Sequence, residues 1–289
     1  MKEMLAEPRI VKSHPCFNAK AHLNIARVHI PVAPKCNIQC NYCYRLINSL
    51  EVRPGVSSKI LSPKEALDYL GIVVKEFKEL KVVGIAGPGE PLFNRETFET
   101  LKLVHEKYPH LFLCIATNGL LLRDKLDELA SAGVNFLTVT MNAIDPEITT
   151  KIHPFIYYKN KLIEGLDAAK TLVSNQIEGV ELAVKRGMIV KVNTVLIPEI
   201  NDHHVEEVAK RVKEAGAYVQ NVIPLIPIGN FKERRPPTCD ELQDARMKCE
   251  KIIKQFRLCK MCRADAVGIP GREIGFQERQ YEMSEIFHA

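Results

Sequence analysis

A chain of 289 residues suffices for one large domain or two small ones, and 46% apolar against 26% charged residues is ordinary for a globular protein. The net charge of +5 arises from scattered basic residues, densest in "VKRG" and "NFKERRPP", which read as solvated turns and give nucleic acid no footprint. No apolar run approaches the roughly 18 residues that cross a bilayer, and "MKEMLAEPRIVKSHPC" lacks an apolar signal core; a cytoplasmic protein with no membrane partner is expected.

In chain order, apolar runs rich in β-branched residues alternate with segments of helical period. A strand is predicted over 26–33 ("ARVHIPVA"). A helix follows in "SPKEALDYLGIVVKEFKEL", with Ser62 as N-cap and Pro63 at the first helical position. Strands over 81–87, 111–117, 135–142, 188–196 and 218–226 come next. Between them lie the helical stretches "NRETFETLKLVHEKY", "LRDKLDELASAG", "YKNKLIEGLDAAKTLVSN" and "DHHVEEVAKRVKEAG". The strands are nearly continuous apolar runs, which suits parallel strands covered on both faces. Six β–α units predict an α/β fold, a complete or partial (β/α) barrel with its chemistry at the carboxyl ends of the strands. The expected layout is a single domain: an N-terminal segment 1–25, a barrel core 26–230, and a C-terminal extension 231–289. That extension holds the helix "CDELQDARMKCEKIIKQF" and an irregular tail.

Nine cysteines are many for a reducing compartment, where disulfides rarely persist, and their clustering argues for metal or cluster ligation. Cys36, Cys40 and Cys43 lie just past the first strand, where such a barrel keeps its active site. They could bind zinc with one open position, or form a disulfide with a spare thiol, or hold a [4Fe–4S] cubane by three thiolates with one iron left free. Cys239 and Cys249, ten residues apart on one helix, read as packing residues.

CxxxCxxC after the first strand of a β/α barrel resembles the radical S-adenosylmethionine (SAM) enzymes. The resemblance implies that the free iron chelates the amino and carboxylate groups of SAM. One electron then yields methionine and a 5′-deoxyadenosyl radical. It places Tyr42 near the adenine, and Gly87, Gly89 and Glu90 of "GIAGPGEPL" at the methionyl amino group. Glycines there let the chain approach a ligand closely. Thr140, Asn142 and Asn193, ending later strands, could reach the SAM carboxylate or ribose. The fold implied is a partial (β/α)6-type radical SAM barrel with cluster-binding extensions at both ends.

Further motifs sharpen this. "HPCF…AH…R.H.PVAPKCNIQCNYC", "VVGIAGPGEPL", "ATNGL", "NVIPLIP" and "C..CRADAVG", in that order from residue 14 to about 268, are similar to the NifB family of nitrogenase cofactor biosynthesis. That resemblance implies fusion of two additional [4Fe–4S] clusters into an eight-iron, carbide-centred precursor, with SAM as methyl donor and radical source. Cys16, His22, Cys259 and Cys262 match the ligands of one substrate cluster, and a mixed thiolate–imidazole set could ease its release. Cys114 matches a ligand of the other, with Glu51 as a carboxylate ligand. The partners implied are an iron–sulfur cluster donor, a downstream cofactor carrier or scaffold, and a reductant such as ferredoxin or flavodoxin. One departure stands out: "CYRLINSLEVRPG" has Leu46, Asn48 and Ser49 where the family places a further cysteine. That omission leaves a radical SAM enzyme acting on an organic or peptide substrate as the alternative. A non-enzymatic cluster carrier ranks third, because it would give the glycine-rich turn no purpose.

Overall fold

The computed structural model describes residues 9–259 and 261–273. After a 3-10 turn at Arg9–Ser13 and the short helix α1 (Ala19–His22), the chain enters strand β1 (Ala26–His29). Two short strands, β2 (Leu46–Ile47) and β3 (Val56–Ser57), flank the excursion that follows the three clustered cysteines. The repeating part comprises α2 (Pro63–Glu76), β4 (Leu80–Ile85), α3 (Arg95–Lys107), β5 (Phe112–Thr117), α4 (Leu122–Ser131), β6 (Val134–Thr140) and α5 (Pro146–Ile152). It continues through β7 (Phe155–Tyr158), β8 (Lys161–Glu164), α6 (Gly165–Lys185), β9 (Ile189–Leu196), α7 (Val205–Glu214) and β10 (Val219–Pro224). Helix α8 (Cys239–Glu250) and strand β11 (Val267–Gly268) close the described chain.

All six predicted strands are present, and together with β11 they form one curled seven-stranded sheet in the order β10–β9–β6–β5–β4–β1–β11. Its pairings are parallel except β1 with β11. Helix α2 starts as its cap predicts. Ser62 Oγ accepts from the Glu65 N–H at 3.3 Å, and the Glu65 carboxylate accepts from the Ser62 N–H at 2.8 Å.

Two expectations need correction. "YKNKLIEG" is not helical: it forms the β7–β8 hairpin, because Lys159 and Asn160 take φ of 48° and 61° at the two turn positions. The helix begins only at Gly165 and runs on to Lys185. The tail is not wholly irregular either, since β11 pairs antiparallel with β1.

Alternation along the strands sorts residues between two faces. Val28, Val83, Leu113, Ile115, Leu137, Val139, Val190 and Val192 share one core with the apolar stripes of α2, α3, α4, α6 and α7. The residues between them face the concave side. There Phe112, Cys114, Phe136 and Ile189 form a second core with Val11 and Phe17 from the N-terminal segment and Phe256 from the C-terminal one. The segments carrying Val11, Phe17 and Phe256 therefore pack inside the half-barrel, toward the amino ends of its strands. Cys249 is fully buried and its thiol donates to the Val205 carbonyl at 3.6 Å, as a packing residue should; Cys239 is exposed.

Candidate functional site

Two groups of chemistry-bearing residues emerge. The first lies at the carboxyl ends of the strands. Cys36, Cys40 and Cys43 occupy the loop after β1, and Cys36 and Cys40 pack against Ile38, Leu120, Ile156 and Leu172. Burial raises all three thiols, Cys36 to about 11, and the neighbouring thiols add to the effect at Cys40. Neutral thiols in such a wall await a cation to ionise them. No three His, Cys, Asp or Glu side chains among the described residues converge closely enough to hold a single metal ion. A cubane takes each thiolate at a different iron, so its ligands need not converge on one point.

The turn after β4 supports this loop. A Cβ at Gly89 would overlap the Lys35 carbonyl oxygen and lie 2.8 Å from the Pro34 oxygen. The Gly89 N–H donates to the Ala33 carbonyl at 2.6 Å, and the Glu90 N–H to the Lys35 carbonyl at 2.8 Å. Glycine is thus required where this turn abuts the backbone leading directly into Cys36, and Gly87 adds a φ of +122°. Glu90 is 3% exposed. Its carboxylate accepts from the Thr117 hydroxyl (2.6 Å), the Asn118 N–H (2.7 Å) and the Leu92 N–H (3.0 Å). Burial pushes it up to about 7 against those three donors. An ammonium ligand would favour the ionised form of such a buried acid, so the turn fits a methionyl amino group.

Other predicted SAM contacts prove more structural. Asn142 is buried, and its amide donates to the Tyr42 hydroxyl at 2.8 Å while its oxygen accepts from the Val195 N–H at 2.9 Å. It holds the Tyr42 ring against the apolar cluster of Ile148, Ile197, Leu225 and Phe231. Burial and the neighbouring Cys40 raise the Tyr42 phenol well above its ordinary value. Thr140, Asn193 and Asn221 lie in register across β6, β9 and β10 as one polar row, and Asn221 donates to Asn193 at 3.1 Å.

The second group lies deeper, on the concave face. Cys16, Cys114 and Cys259 pack against the same aromatic cluster of Phe17, Phe136 and Phe256. Burial raises Cys114 to about 12 and Cys262 to about 11, with Cys16 close enough to contribute to both. His22 meets Phe256 edge-on at 5.7 Å. The tautomers of the two nearby histidines differ. His22 Nδ1 lies 2.8 Å from the Pro15 carbonyl, so it carries the proton and leaves Nε2 as the basic atom, as a metal ligand requires. His14 Nδ1 instead accepts from the Cys16 N–H at 3.0 Å, which places its proton on Nε2. The structure therefore brings Cys16, His22, Cys114, Cys259 and Cys262 into one chamber of soft donors, a set that fits an iron–sulfur cluster.

Glu51 is not among them. Its carboxylate accepts from Arg53 at 2.7 Å and from Asn48 at 3.1 Å. Asn48, where a further cysteine was expected, also caps the turn by accepting from the Leu50 and Glu51 N–H groups, both at 3.0 Å.

Sequence reading missed three residues here. Arg27 and Lys191 are buried cations on inward strand positions, and a lone charge inside an apolar run such as "MIVKVNTVL" was the available signal. Arg263 clamps the two regions together. Its guanidinium donates to the Asn48 and Glu51 carbonyls (2.8 and 2.6 Å) and pairs with Asp265 at 2.8 Å, while Asp265 accepts from the Ser58 N–H at 2.6 Å.

Comparison with known proteins agrees with this geometry. Residues 30–212 match the radical SAM superfamily. The chain is 54% identical to the FeMo cofactor biosynthesis protein NifB of Methanocaldococcus infernus over 271 residues, 93% of this chain and 89% of that one. It is 52% identical to the Methanocaldococcus jannaschii protein of the same name, over 90% of this chain and 87% of that one. Against the Herbaspirillum seropedicae NifB it is 43% identical over 96% of its own length and 54% of the relative's. Among solved structures, Streptococcus suis SuiB superposes with a TM-score of 0.58 at 12% identity, over 80% of this chain and 49% of that one. A radical SAM methyltransferase from Sphaerobacter thermophilus gives 0.54 at 18%, over 81% and 64%. Those two likenesses concern the fold alone. By sequence, by fold and by the placement of its cysteines, the chain belongs to the NifB family of FeMo cofactor biosynthesis proteins within the radical SAM superfamily.

Proposed function

We propose that this protein converts [4Fe–4S] clusters into a carbide-containing eight-iron precursor of nitrogenase cofactor, with SAM as methyl donor and radical source. Cys36, Cys40 and Cys43 hold the resident cubane and leave one iron for SAM. Gly89 fixes the backbone entering that loop, Glu90 faces the ammonium end, and Tyr42, braced by Asn142, flanks the bound nucleoside. Thr140 and Asn193 line the same mouth. When bound, the cluster and SAM supply one-electron cleavage to a 5′-deoxyadenosyl radical. Cys16, His22, Cys259 and Cys262 hold a substrate cluster at the other end of the concave face, with Cys114 beside them.

The observation that supports this reading is that Cys16, Cys114, Cys259 and Cys262, from segments far apart in sequence, lie near one another around one aromatic cluster. Nine cysteines, none of them in a disulfide, suit a reducing cytoplasmic setting. A cluster donor, a product carrier and a small reductant are the partners this chemistry needs.

A second reading is favoured by one feature. With Asn48 and Arg53 occupying Glu51, a second substrate cluster has only Cys114 assigned to it, and an organic or peptide substrate could take that space. Iron and acid-labile sulfide after anaerobic reconstitution test the point. About twelve irons per chain, three cubanes' worth, support cluster fusion directly. About eight leave fusion dependent on a cluster delivered by a carrier. In that case, an added iron–sulfur cluster must be consumed together with SAM for the first reading to stand.

A further inference from the structure

Among the described residues, the chamber holds more buried positive charge than the carboxylates beside it neutralise. Lys191 is 3% exposed and sits on the concave face of β9. Its ammonium donates to the Cys16 carbonyl at 3.2 Å and lies 5.2 Å over the Phe17 ring and 5.5 Å over the Phe256 ring. Among the described residues no carboxylate pairs with it. Arg27 is 1% exposed; it donates to the Gly268 carbonyl at 3.2 Å, to the Cys262 sulfur at 2.9 Å and to Glu273 at 2.8 Å, while its Nε has no partner. Among the described residues, Glu273 pairs with Arg27 and no carboxylate pairs with Lys191, so one carboxylate stands against two buried cations.

An ammonium without a counter-charge is expensive to bury. Two aromatic faces and one carbonyl offset only part of that cost. A lysine kept here for packing alone would be replaced by an apolar residue of similar length without loss. The thiols around these cations become anionic when they ligate iron, which would supply the counter-charge.

We propose that Lys191 and Arg27 are positioning residues for the outer iron–sulfur cluster, a cationic wall that retains the anionic cluster by charge and raises its reduction potential. Arg27 acts partly through its hydrogen bond to the Cys262 sulfur, since hydrogen bonds to ligating sulfurs are among the main controls of cluster potential. Lys191 acts through space on the side of Cys16 and Cys114. A cation favours the more negative, reduced cluster over the oxidised one.

The inference rests on the outer cluster being held by Cys16, His22, Cys259 and Cys262, so the test separates the two claims. The parent carries Cys36→Ala, Cys40→Ala and Cys43→Ala, so that bound iron reports the outer site alone. Reconstituted anaerobically, it should hold about four irons per chain; a parent with no iron refutes the ligand assignment and the inference with it. Given a loaded parent, Lys191→Met is compared with Lys191→Arg for iron content and for midpoint potential by EPR-monitored titration. The expected result is a lower potential in Lys191→Met, with reduction about tenfold less favourable, or about 59 mV for one electron, and recovery in Lys191→Arg. Loss of the cluster in Lys191→Met but not in Lys191→Arg, with both chains folded, supports the same conclusion. Parental loading and potential in Lys191→Met overturns it, and so does equal loss in both variants, which would mark a packing role. Arg27→Gln, which keeps a donor to sulfur without the charge, is expected to lower the potential in the same direction.

Discussion

Glu90 gives the sharpest quantitative expectation. In the metal-free chain its carboxyl is buried and raised from the ordinary 4.5 to about 7, chiefly by desolvation. That difference corresponds to about 3 kcal/mol between the protonated and ionised forms. The sign follows from proton binding. Between about pH 4.5 and 7 the folded chain keeps the Glu90 proton that the unfolded chain has released. Stability contributed by this group is therefore full below the unfolded value and declines as pH rises through about 7. Glu90→Gln removes the titration but retains an oxygen for the Thr117 hydroxyl and the Leu92 N–H. It sets its amide against the Asn118 N–H, at a pH-independent cost of about 1–3 kcal/mol. Urea unfolding of reduced, metal-free protein at pH 5.0 and 8.0 should show the parent losing about 2–3 kcal/mol relative to Glu90→Gln across that interval. Parallel pH profiles for the two proteins would refute the argument. SAM affinity of the cluster-loaded protein should also rise with pH through about 7, because an ammonium ligand favours the ionised carboxylate.

Gly89→Ala drives a methyl group into the Pro34–Lys35 backbone, so stability should fall by about 1–3 kcal/mol; iron retained by the Cys36/Cys40/Cys43 site should fall with it, as iron analysis of a chain lacking the outer ligands would show. Cys40→Ala should abolish 5′-deoxyadenosine formation while leaving the outer cluster in place, and retained cleavage by chromatographic assay would sink the assignment of the triad. His22→Ala should remove a nitrogen coupling from the pulsed-EPR spectrum of the outer cluster and leave the SAM cluster unchanged. An identical spectrum would count against His22 as a ligand.

The strand pattern was legible because six apolar runs of the right length alternate with helical periods, and tertiary packing had no reason to override so consistent a signal. Legibility stopped where one or two backbone angles decide. Nothing in "YKNK" announces left-handed conformations at Lys159 and Asn160, so a hairpin read as the start of a helix. Two-residue β11 was too short to carry any period. In the candidate site, cysteine spacing exposed the triad and the CxxC pair, whereas distance in sequence hid the company they keep. Cys114 was assigned apart from Cys16, yet the structure packs both against one aromatic cluster. Asn142 was read as a SAM contact and proves to brace Tyr42; an amide at a strand end looks the same in either role.

The two candidate cysteine sites also differ in when they can form. The Cys36–Cys43 triad spans eight consecutive positions of the chain, and all its ligands emerge together. The chamber joins Cys16 to Cys262 and Arg27 to Gly268, partners separated by well over two hundred residues, and β11 must reach back to β1 before its wall is complete. During synthesis its first cysteine waits, unpaired, while nearly the whole barrel is made. Contacts of such separation form late, after the intervening chain has lost its freedom. On the proposed function, loading of the chamber would wait until β11 has paired with β1 and brought Cys262 to Arg27.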